Sequence, residues 1–295
     1  MFEPRWKTTL KALLYLSPAL IVIAVFVIYP MFRSVWISFF KDYNIFKHTG
    51  SGFGLDNYKW VLNDGRFILA LKNTTIYTIV VVPVSMAIAL FTAVLLNSKL
   101  KGMKVFETMF FLPYITNLIA IGLAFKFIFN STYGILNRIL GLFGIDSIMW
   151  LNDPKYSLPA LIIFGIWSGL AFKIVVFLAG IQGINKQYYQ AAKIDNTSRW
   201  RTFTKITLPL LSPMVFYIGI ISFIGALKTY VEVVGLYGNN PGPADTAMTI
   251  VYYVYDLFYG ANEPPRAAAA SVILFLIILV FTFIQLRVSK KRVQY

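Results

Sequence analysis

The chain has 295 residues, of which 58% are hydrophobic and 13% are charged, and its formal net charge is +15. Soluble domains carry about a quarter charged residues, so this composition indicates a polytopic membrane protein. With no cysteine and a single histidine, His48, the sequence excludes disulfides, cysteine nucleophiles and metal sites built from several histidines.

Six apolar segments are long enough to cross a bilayer, which takes about 20 helical residues. They are Leu14–Phe32, Ile76–Leu96, Phe106–Phe129, Leu158–Ile181, Met214–Leu236 and Ala267–Leu286. Helices are expected because an open sheet edge would expose unpaired backbone groups to lipid. The first segment follows basic residues as in a signal peptide. It is nevertheless long enough to span, and no small-residue cleavage site follows it, so we expect it to remain in place.

The sequence therefore predicts an all-α fold, a polytopic bundle with six transmembrane helices. We divide it into an N-terminal region of residues 1–66, with the first helix and an outer loop, and a core of residues 67–295 with five helices.

Lysine and arginine are concentrated on one side of the predicted membrane, and such loops face the cytoplasm. The basic side holds the amino end, the loops after spans two and four, and the carboxyl tail. We predict a multi-pass protein of the bacterial cytoplasmic membrane with both termini in the cytoplasm. Nucleic-acid binding is not favoured, because the basic residues form short clusters between apolar runs.

Three segments connect the predicted spans on the outer side. Residues 41–66 are polar and rich in glycine, and residues 237–265 are rich in turn-forming residues. Residues 130–157 predict a short amphipathic helix that lies along the membrane surface.

The loop after span four is long and predicts a helix-turn-helix. Ala191 and Ala192 favour a first helix, and a second follows from about Arg199. Asn196 tolerates the left-handed backbone that the turn between them needs. The residues alone leave two alternatives open. The pair could insert aromatic anchors into a groove on a partner, or it could rest on the lipid surface as an amphipathic helix.

This loop resembles the conserved cytoplasmic loop of binding-protein-dependent ABC importer permeases. The family pattern is Glu-Ala-Ala, then Asp-Gly-Ala after two residues, then spaced Phe and Ile, and finally Leu-Pro-x-Leu-x-Pro. This chain matches it at Ala191, Ala192, Asp195, Phe203, Ile206, Leu208, Pro209, Leu211 and Pro213. It departs from the pattern at Gln190, Asn196 and Thr197. Other segments, such as "SPALIVIAVFVIYP" and "FFLPYI", resemble the larger permease of maltose transporters.

The resemblance implies one permease subunit, which forms half of the pathway for a sugar or sugar derivative. A second permease subunit, two ATPase subunits that bind ATP and magnesium, and an extracytoplasmic binding protein would complete the importer. The implied ATPase-coupling residues are Gln190, Ala191, Ala192, Asp195, Asn196, Phe203, Ile206, Leu208 and Pro209. The chain has no glycine-rich phosphate loop of the ATPase type, so we expect neither catalysis nor a cofactor of its own.

Charged residues inside a span indicate function by default. Lys173 and Lys228 lie deep, whereas Lys72 and Lys126 are near the outer ends of spans and are expected to snorkel to the headgroups. Glu232 follows Lys228 by four residues, so the two could pair on one helix face.

By resemblance, spans three, four and five meet the substrate. The implied pathway residues are Asn117, Gly169, Phe172, Gly225, Thr229 and Tyr230, together with Lys173, Lys228 and Glu232. Two deep lysines against one acid suggest an acidic sugar. The alternative is that Glu232 neutralises Lys228 while Lys173 snorkels toward the cytoplasm.

Two other classes of protein remain as alternatives: a polytopic intramembrane enzyme and a membrane scaffold. An enzyme would need paired acids or a metal site at membrane depth, and Glu232 is the one acid well within the predicted spans. A scaffold would not explain the spaced matches in the loop. Genes for a sister permease and a binding protein beside this one would decide between them.

Overall fold

The computed structural model describes residues 5–97 and 103–292, and most of them are helical. The helices are α1 (Arg5–Ile23), α2 (Tyr29–Ile37), α3 (Asp56–Asn63), α4 (Gly65–Leu96), α5 (Met103–Ile115), α6 (Leu118–Ile128), α7 (Ile135–Gly141), α8 (Pro154–Ser168), α9 (Leu170–Gln182), α10 (Lys186–Ile194), α11 (Arg199–Thr202), α12 (Leu208–Leu210), α13 (Ser212–Leu227), α14 (Val231–Tyr237), α15 (Ile250–Tyr255) and α16 (Pro264–Arg292). Two strands, β1 (Phe40–Asn44) and β2 (Thr49–Phe53), and short π- or 3-10-helical segments at Ala24–Ile28, Phe203–Thr207, Pro243–Asp245 and Asp256–Gly260 complete the described structure.

Among the described residues, four helical segments are long and apolar enough to cross a membrane. They are Thr9–Ile37, Gly65–Leu96, Pro154–Gln182 and Pro264–Val288. A fifth is formed if Arg199–Leu210 and Ser212–Leu227, which are bent by 64° from one another, count as one span. A helical multi-pass fold is therefore confirmed, whereas the number of six crossings stays a prediction.

The third and fifth predicted spans are interrupted by residues that are not helical. The third, Phe106–Phe129, is divided between α5 and α6 by a break at Thr116 and Asn117. The fifth, Met214–Leu236, is divided between α13 and α14, because the helix ends before Lys228 and resumes at Val231. Apolar composition predicted the extent of both segments but not these breaks. Of the basic residues predicted after the second span, Lys99 and Lys101 lie outside the described residues, and Lys104 lies in α5.

One compact unit comprises the described residues of Met1–Asp64 together with Val254–Leu274. Its β1–β2 hairpin pairs antiparallel, with Phe40 opposite Phe53. The buried Asn57 of α3 ties the hairpin to α2, since its side-chain amide donates to the carbonyl oxygens of Ser38 at 3.0 Å and Phe40 at 2.7 Å. The chain is mostly helical as expected, and this hairpin is a local departure from the all-α prediction. Alternation in residues 40–53 is obscured by polar residues on both faces, so periodicity gave no strand signal.

The second unit comprises the described residues of Gly65–Tyr253 and Phe275–Tyr295. Here α4 packs along α8, α9 and α13. Ala89 and Ala93, one turn apart on α4, are fully buried and allow close approach of the neighbouring helices. Phe177, Leu211 and Ile218 fill the rest of this core.

A close backbone contact in this unit joins α6 to α14. A methyl group built on Gly122 would lie 2.5 Å from the carbonyl carbon of Gly235, so the two backbones touch directly. The reverse substitution meets more room, because a methyl group on Gly235 would lie 3.4 Å from the Cα atom of Gly122. Glycine at position 122 is therefore required by space rather than by backbone conformation.

We predict that Gly122→Ala lowers the melting temperature of the purified protein in detergent, by a stability loss of about 1–3 kcal/mol. The reason is that its methyl group must push α6 and α14 apart. Gly235→Ala, in the same contact, serves as the matched control and should melt close to the parental protein. Equal melting temperatures for the two variants would contradict the asymmetry of this contact.

Candidate functional site

A cavity of about 440 Å³ lies where helices of the second unit are interrupted. It meets the break between α5 and α6 at Thr116, the turn between α8 and α9 at Gly169, and the break after α13 at Thr229. Irregular backbone at membrane depth is tolerated where it lines a cavity, because water or a ligand can then satisfy its polar groups. The breaks and the cavity therefore belong to one feature.

Lys173 of α9 lines this cavity although it is only 6% exposed. Its amine donates a hydrogen bond to the carbonyl oxygen of Gly169 at 3.0 Å. A methyl group on Gly169 would lie 2.5 Å from that amine, so the glycine provides the room for it. The amine points back along the helix toward Gly169 and away from the loop after α9. Snorkelling toward that loop, the alternative considered from sequence, is wrong.

A second polar group lies one turn from Gly169 on the same side of the span. The buried Tyr77 of α4 places its hydroxyl over Gly165, where a methyl group would clash with the oxygen. The same hydroxyl is within hydrogen-bonding reach of Thr229 and near the side chain of Glu232. Glu232, at the start of α14, also lines the cavity. Gly165 and Gly169 thus admit a hydroxyl and an amine to neighbouring turns of one helix face.

Aromatic rings cover another part of the wall. Tyr114 of α5 stacks on Phe172 of α9, with ring centroids 5.9 Å apart and planes inclined by 23°. Both residues line the cavity beside the amine of Lys173. The cavity therefore combines flat apolar faces with a few hydroxyl, amine and carboxylate groups, a combination typical of sites for small polar molecules.

Several residues predicted from sequence for the pathway meet at this cavity. They are Gly169, Phe172, Lys173, Gly225, Thr229 and Glu232. Three others do not line it: Asn117 caps α6 by accepting from the amides of Ile119 and Ala120, Tyr230 packs against Tyr252 at 6.0 Å, and Lys228 is exposed.

The expected pairing of Lys228 with Glu232 on one helix face is wrong. The chain leaves the α-helical path between α13 and α14, and no ion pair joins the two side chains among the residues that the structure describes. Sequence reasoning also missed Tyr77, Tyr114 and Gly165. Only Gly165 carried a signal, as a small residue four positions before Gly169.

The loop after α9 forms the predicted helix-turn-helix. Asn196, with φ of +50°, makes the left-handed turn between α10 and α11. The amide of Thr197 closes that turn on the carbonyl oxygen of Ala192 at 2.9 Å, and Ser198 caps α11. In addition, the hydroxyl groups of Tyr189 and Thr207 lie 3.1 Å apart and join the two helical arms.

The residues most exposed on this loop are not the residues of the sequence motif. Ala192 is only 5% exposed and packs inside the loop, whereas Ile194 and Trp200 are 85% and 74% exposed. Gln190, Ala191, Asp195 and Asn196 are also exposed, and Phe203, Ile206 and Pro209 are half-buried. Leu208 is 38% exposed. Ile194 and Trp200, which sequence reasoning did not place among the coupling residues, thus present the largest apolar area.

The chain is similar to known membrane transport proteins along most of its length. A family model described as "Binding-protein-dependent transport system inner membrane component" matches residues 80–294. The lactose transport system permease protein LacF of Rhizobium radiobacter is 34% identical over 95% of this chain and 94% of its own length. The trehalose/maltose transport system permease protein MalF of Thermococcus litoralis is 31% identical over 95% of this chain and 93% of its own length.

Solved structures of a bacterial alginate importer share the fold. One, described as an ABC transporter involved in the import of the acidic polysaccharide alginate, superposes with a TM-score of 0.84 at 23% identity, covering 99% of this chain and 100% of its own. The other is a complex of the alginate ABC transporter with an alginate pentasaccharide-bound periplasmic protein. It superposes with a TM-score of 0.83 at 25% identity and covers 97% of each chain.

Proposed function

This chain belongs to the family of binding-protein-dependent transport system inner membrane components and is a permease subunit rather than an enzyme, and we propose that the cavity around Lys173 is its half of a sugar pathway. The observation that carries this proposal is the position of the cavity. It lies among interrupted helices of a multi-pass membrane protein, and aromatic faces and polar groups line it together. Relatives named for lactose and for trehalose and maltose support a sugar as the substrate.

We further propose that the chain crosses the membrane six times with both termini in the cytoplasm. The two crossings beyond the four long helices would be the interrupted pairs α5–α6 and α13–α14. Charge supports this orientation, since Arg199 and Arg201 lie in the loop after α9 and basic residues continue along the end of α16. Under this topology the β1–β2 hairpin faces outward.

Single-cysteine labelling tests the orientation directly because the natural chain has no cysteine. An impermeant maleimide should label Ser51→Cys in intact cells, whereas Lys193→Cys should react only after permeabilisation. Both positions are exposed, so access and not burial decides the result. Labelling of Lys193→Cys from outside would contradict the topology and, with it, the role proposed next for α10 and α11.

The α10–α11 loop is proposed to receive the ATPase subunits. Two such subunits would bind ATP and magnesium, and a second permease subunit would supply the other half of the pathway. The large exposed area of Ile194 and Trp200 supports docking, because apolar and aromatic anchors dominate protein interfaces. A bulky residue at Ala192 is a poor test of docking, since that side chain is buried within the loop itself.

Ile194→Asp should therefore reduce the ATP hydrolysis that loaded binding protein stimulates in the reconstituted importer. We expect about a tenfold loss or more, because burying an isoleucine is worth roughly 1.5–3 kcal/mol. Ile194→Val keeps the apolar contact and should retain most of the activity. Insertion and subunit assembly should be normal in both variants. Parental hydrolysis by Ile194→Asp would refute docking at this surface.

The substrate is proposed to be an acidic sugar. The buried amine of Lys173 donates to one carbonyl oxygen and pairs with no carboxylate among the described residues. An anionic ligand would therefore supply the ion pair that this amine lacks. The alginate importer, whose substrate is described as acidic, supports the same reading.

Lys173→Gln should lower the uptake of a charged oligouronate by the reconstituted importer about tenfold, while uptake of a neutral oligosaccharide of the same length changes little. The matched control is Lys228→Gln, since that exposed amine does not line the cavity. Membrane levels must be equal for all variants. If Lys173→Gln transports the native substrate at the parental rate, or the binding protein carries only neutral sugars, the acidic substrate is wrong while the permease assignment stands.

A further inference from the structure

A second cavity, of about 650 Å³, lies at the other end of the helix pair α6 and α14. The cavity around Lys173 meets the beginnings of these helices at Leu118 and Glu232. This one meets their ends at Lys126 and Tyr237. None of its lining residues belongs to the first cavity. Since an α-helix rises about 1.5 Å per residue, Leu118 at the first cavity and Lys126 at the second are roughly 12 Å apart along α6.

A single buried side chain organises the wall of this second cavity. Asn137, 8% exposed, donates from its amide to the carbonyl oxygen of Ile148 at 2.9 Å and to the hydroxyl of Ser147 at 3.0 Å. Its carbonyl oxygen accepts from the amide of Ile148 at 3.2 Å and from the indole of Trp150 at 3.0 Å. Such a fully engaged polar group fixes the loop that follows α7. The wall is therefore built in advance of any ligand.

Free polar groups face the cavity from three directions. The side-chain oxygen of Asn130 accepts from the backbone amides of Thr132 and Tyr133 at 2.9 and 3.1 Å, which leaves its amide nitrogen available. Asn152 and Asn240 also line the cavity, and their side chains make no hydrogen bond within the described part of the chain. Amide groups of this kind bind the vicinal hydroxyl groups of a sugar as both donor and acceptor.

An exposed aromatic pair forms the rim. Phe127 and Tyr133 are 65% and 52% exposed, and their ring centroids lie 6.3 Å apart. Flat aromatic faces beside uncommitted amides match the two surfaces of a sugar ring, whose C–H face is apolar and whose edge carries hydroxyl groups. Lys126, in the last turn of α6, lines the same cavity.

We propose that this second cavity is a separate carbohydrate subsite, which binds a ring of an oligosaccharide before that ring reaches the cavity around Lys173. The proposal rests on the proposed sugar pathway and extends it outward. The two subsites lie in series, because the same two helices end at one and begin at the other. A chain of several sugar rings could occupy both at once, which favours oligosaccharides over monosaccharides as substrates.

Saturation-transfer difference NMR on the assembled importer in nanodiscs, without binding protein, tests this subsite. Maltotetraose and a tetragalacturonate are the probes. Tyr133→Ala and Asn240→Ala should each raise the dissociation constant of the bound probe about tenfold, the scale of losing one good contact. Tyr259→Ala, which removes a ring that is 70% exposed in the other unit, is the matched control and should bind as the parental importer does.

The outcomes separate this subsite from the pathway itself. If Lys173→Gln weakens binding of the probe but Tyr133→Ala and Asn240→Ala do not, the outer subsite is overturned while the sugar pathway stands. If neither probe shows a saturation-transfer signal with the parental importer, the outer subsite is overturned as well. Sugar uptake in proteoliposomes then tests the proposed pathway independently. Loss of docking by the binding protein in Tyr133→Ala, with sugar binding intact, would assign the cavity to a protein loop and also overturn the proposal.

Discussion

The backbone contact between Gly122 and Gly235 is the constraint on which the rest of the interior depends. Neither α6, with 11 residues, nor α14, with 7, is long enough to cross about 30 Å of hydrocarbon. Each can remain at membrane depth only if its ends are satisfied by something other than lipid. Because their backbones are in direct contact at Gly122 and Gly235, the two short helices pack as one element, and their ends line the two cavities.

Broken helices explain why polar side chains gather where they do. Interrupting a span frees backbone groups, and it also removes the regular array of side chains that would otherwise fill the space. Glycines beside the cavity provide further space for polar groups. The absent side chain of Gly165 makes room for the hydroxyl of Tyr77, and that of Gly169 makes room for the amine of Lys173. A buried amine is costly in an apolar medium, and its retention at a cavity wall is consistent with a ligand that offsets the cost.

Sequence reasoning found the features that depend on local composition. The long apolar runs predicted the helices, and Asn196 with its neighbours predicted the turn between α10 and α11 correctly. The hairpin of residues 40–53 and the breaks near Asn117 and Lys228 were missed. These depend on packing: apolar composition is the same on both sides of each break, so a hydropathy window cannot detect it. The hydrogen bonds of Asn137 could not be predicted for the same reason, since its partners among residues 130–150 come together only after the loop has folded.

Burial distinguishes residues of the α10–α11 loop that the sequence motif treats alike. Ala191 and Ala192 are equivalent in a sequence pattern, yet only Ala192 packs inside the loop, where it accepts the amide of Thr197 that closes the turn. Its small size therefore preserves the shape of the loop, and the exposed Ile194 and Trp200 remain available to a partner. From this loop α12 bends by 64° into α13, a continuous helix of 16 residues whose far end forms cavity wall at Gly225 and Ala226. If an ATPase binds this loop as proposed, a displacement of the loop would reach the cavity through α13, without any residue of this chain taking part in hydrolysis.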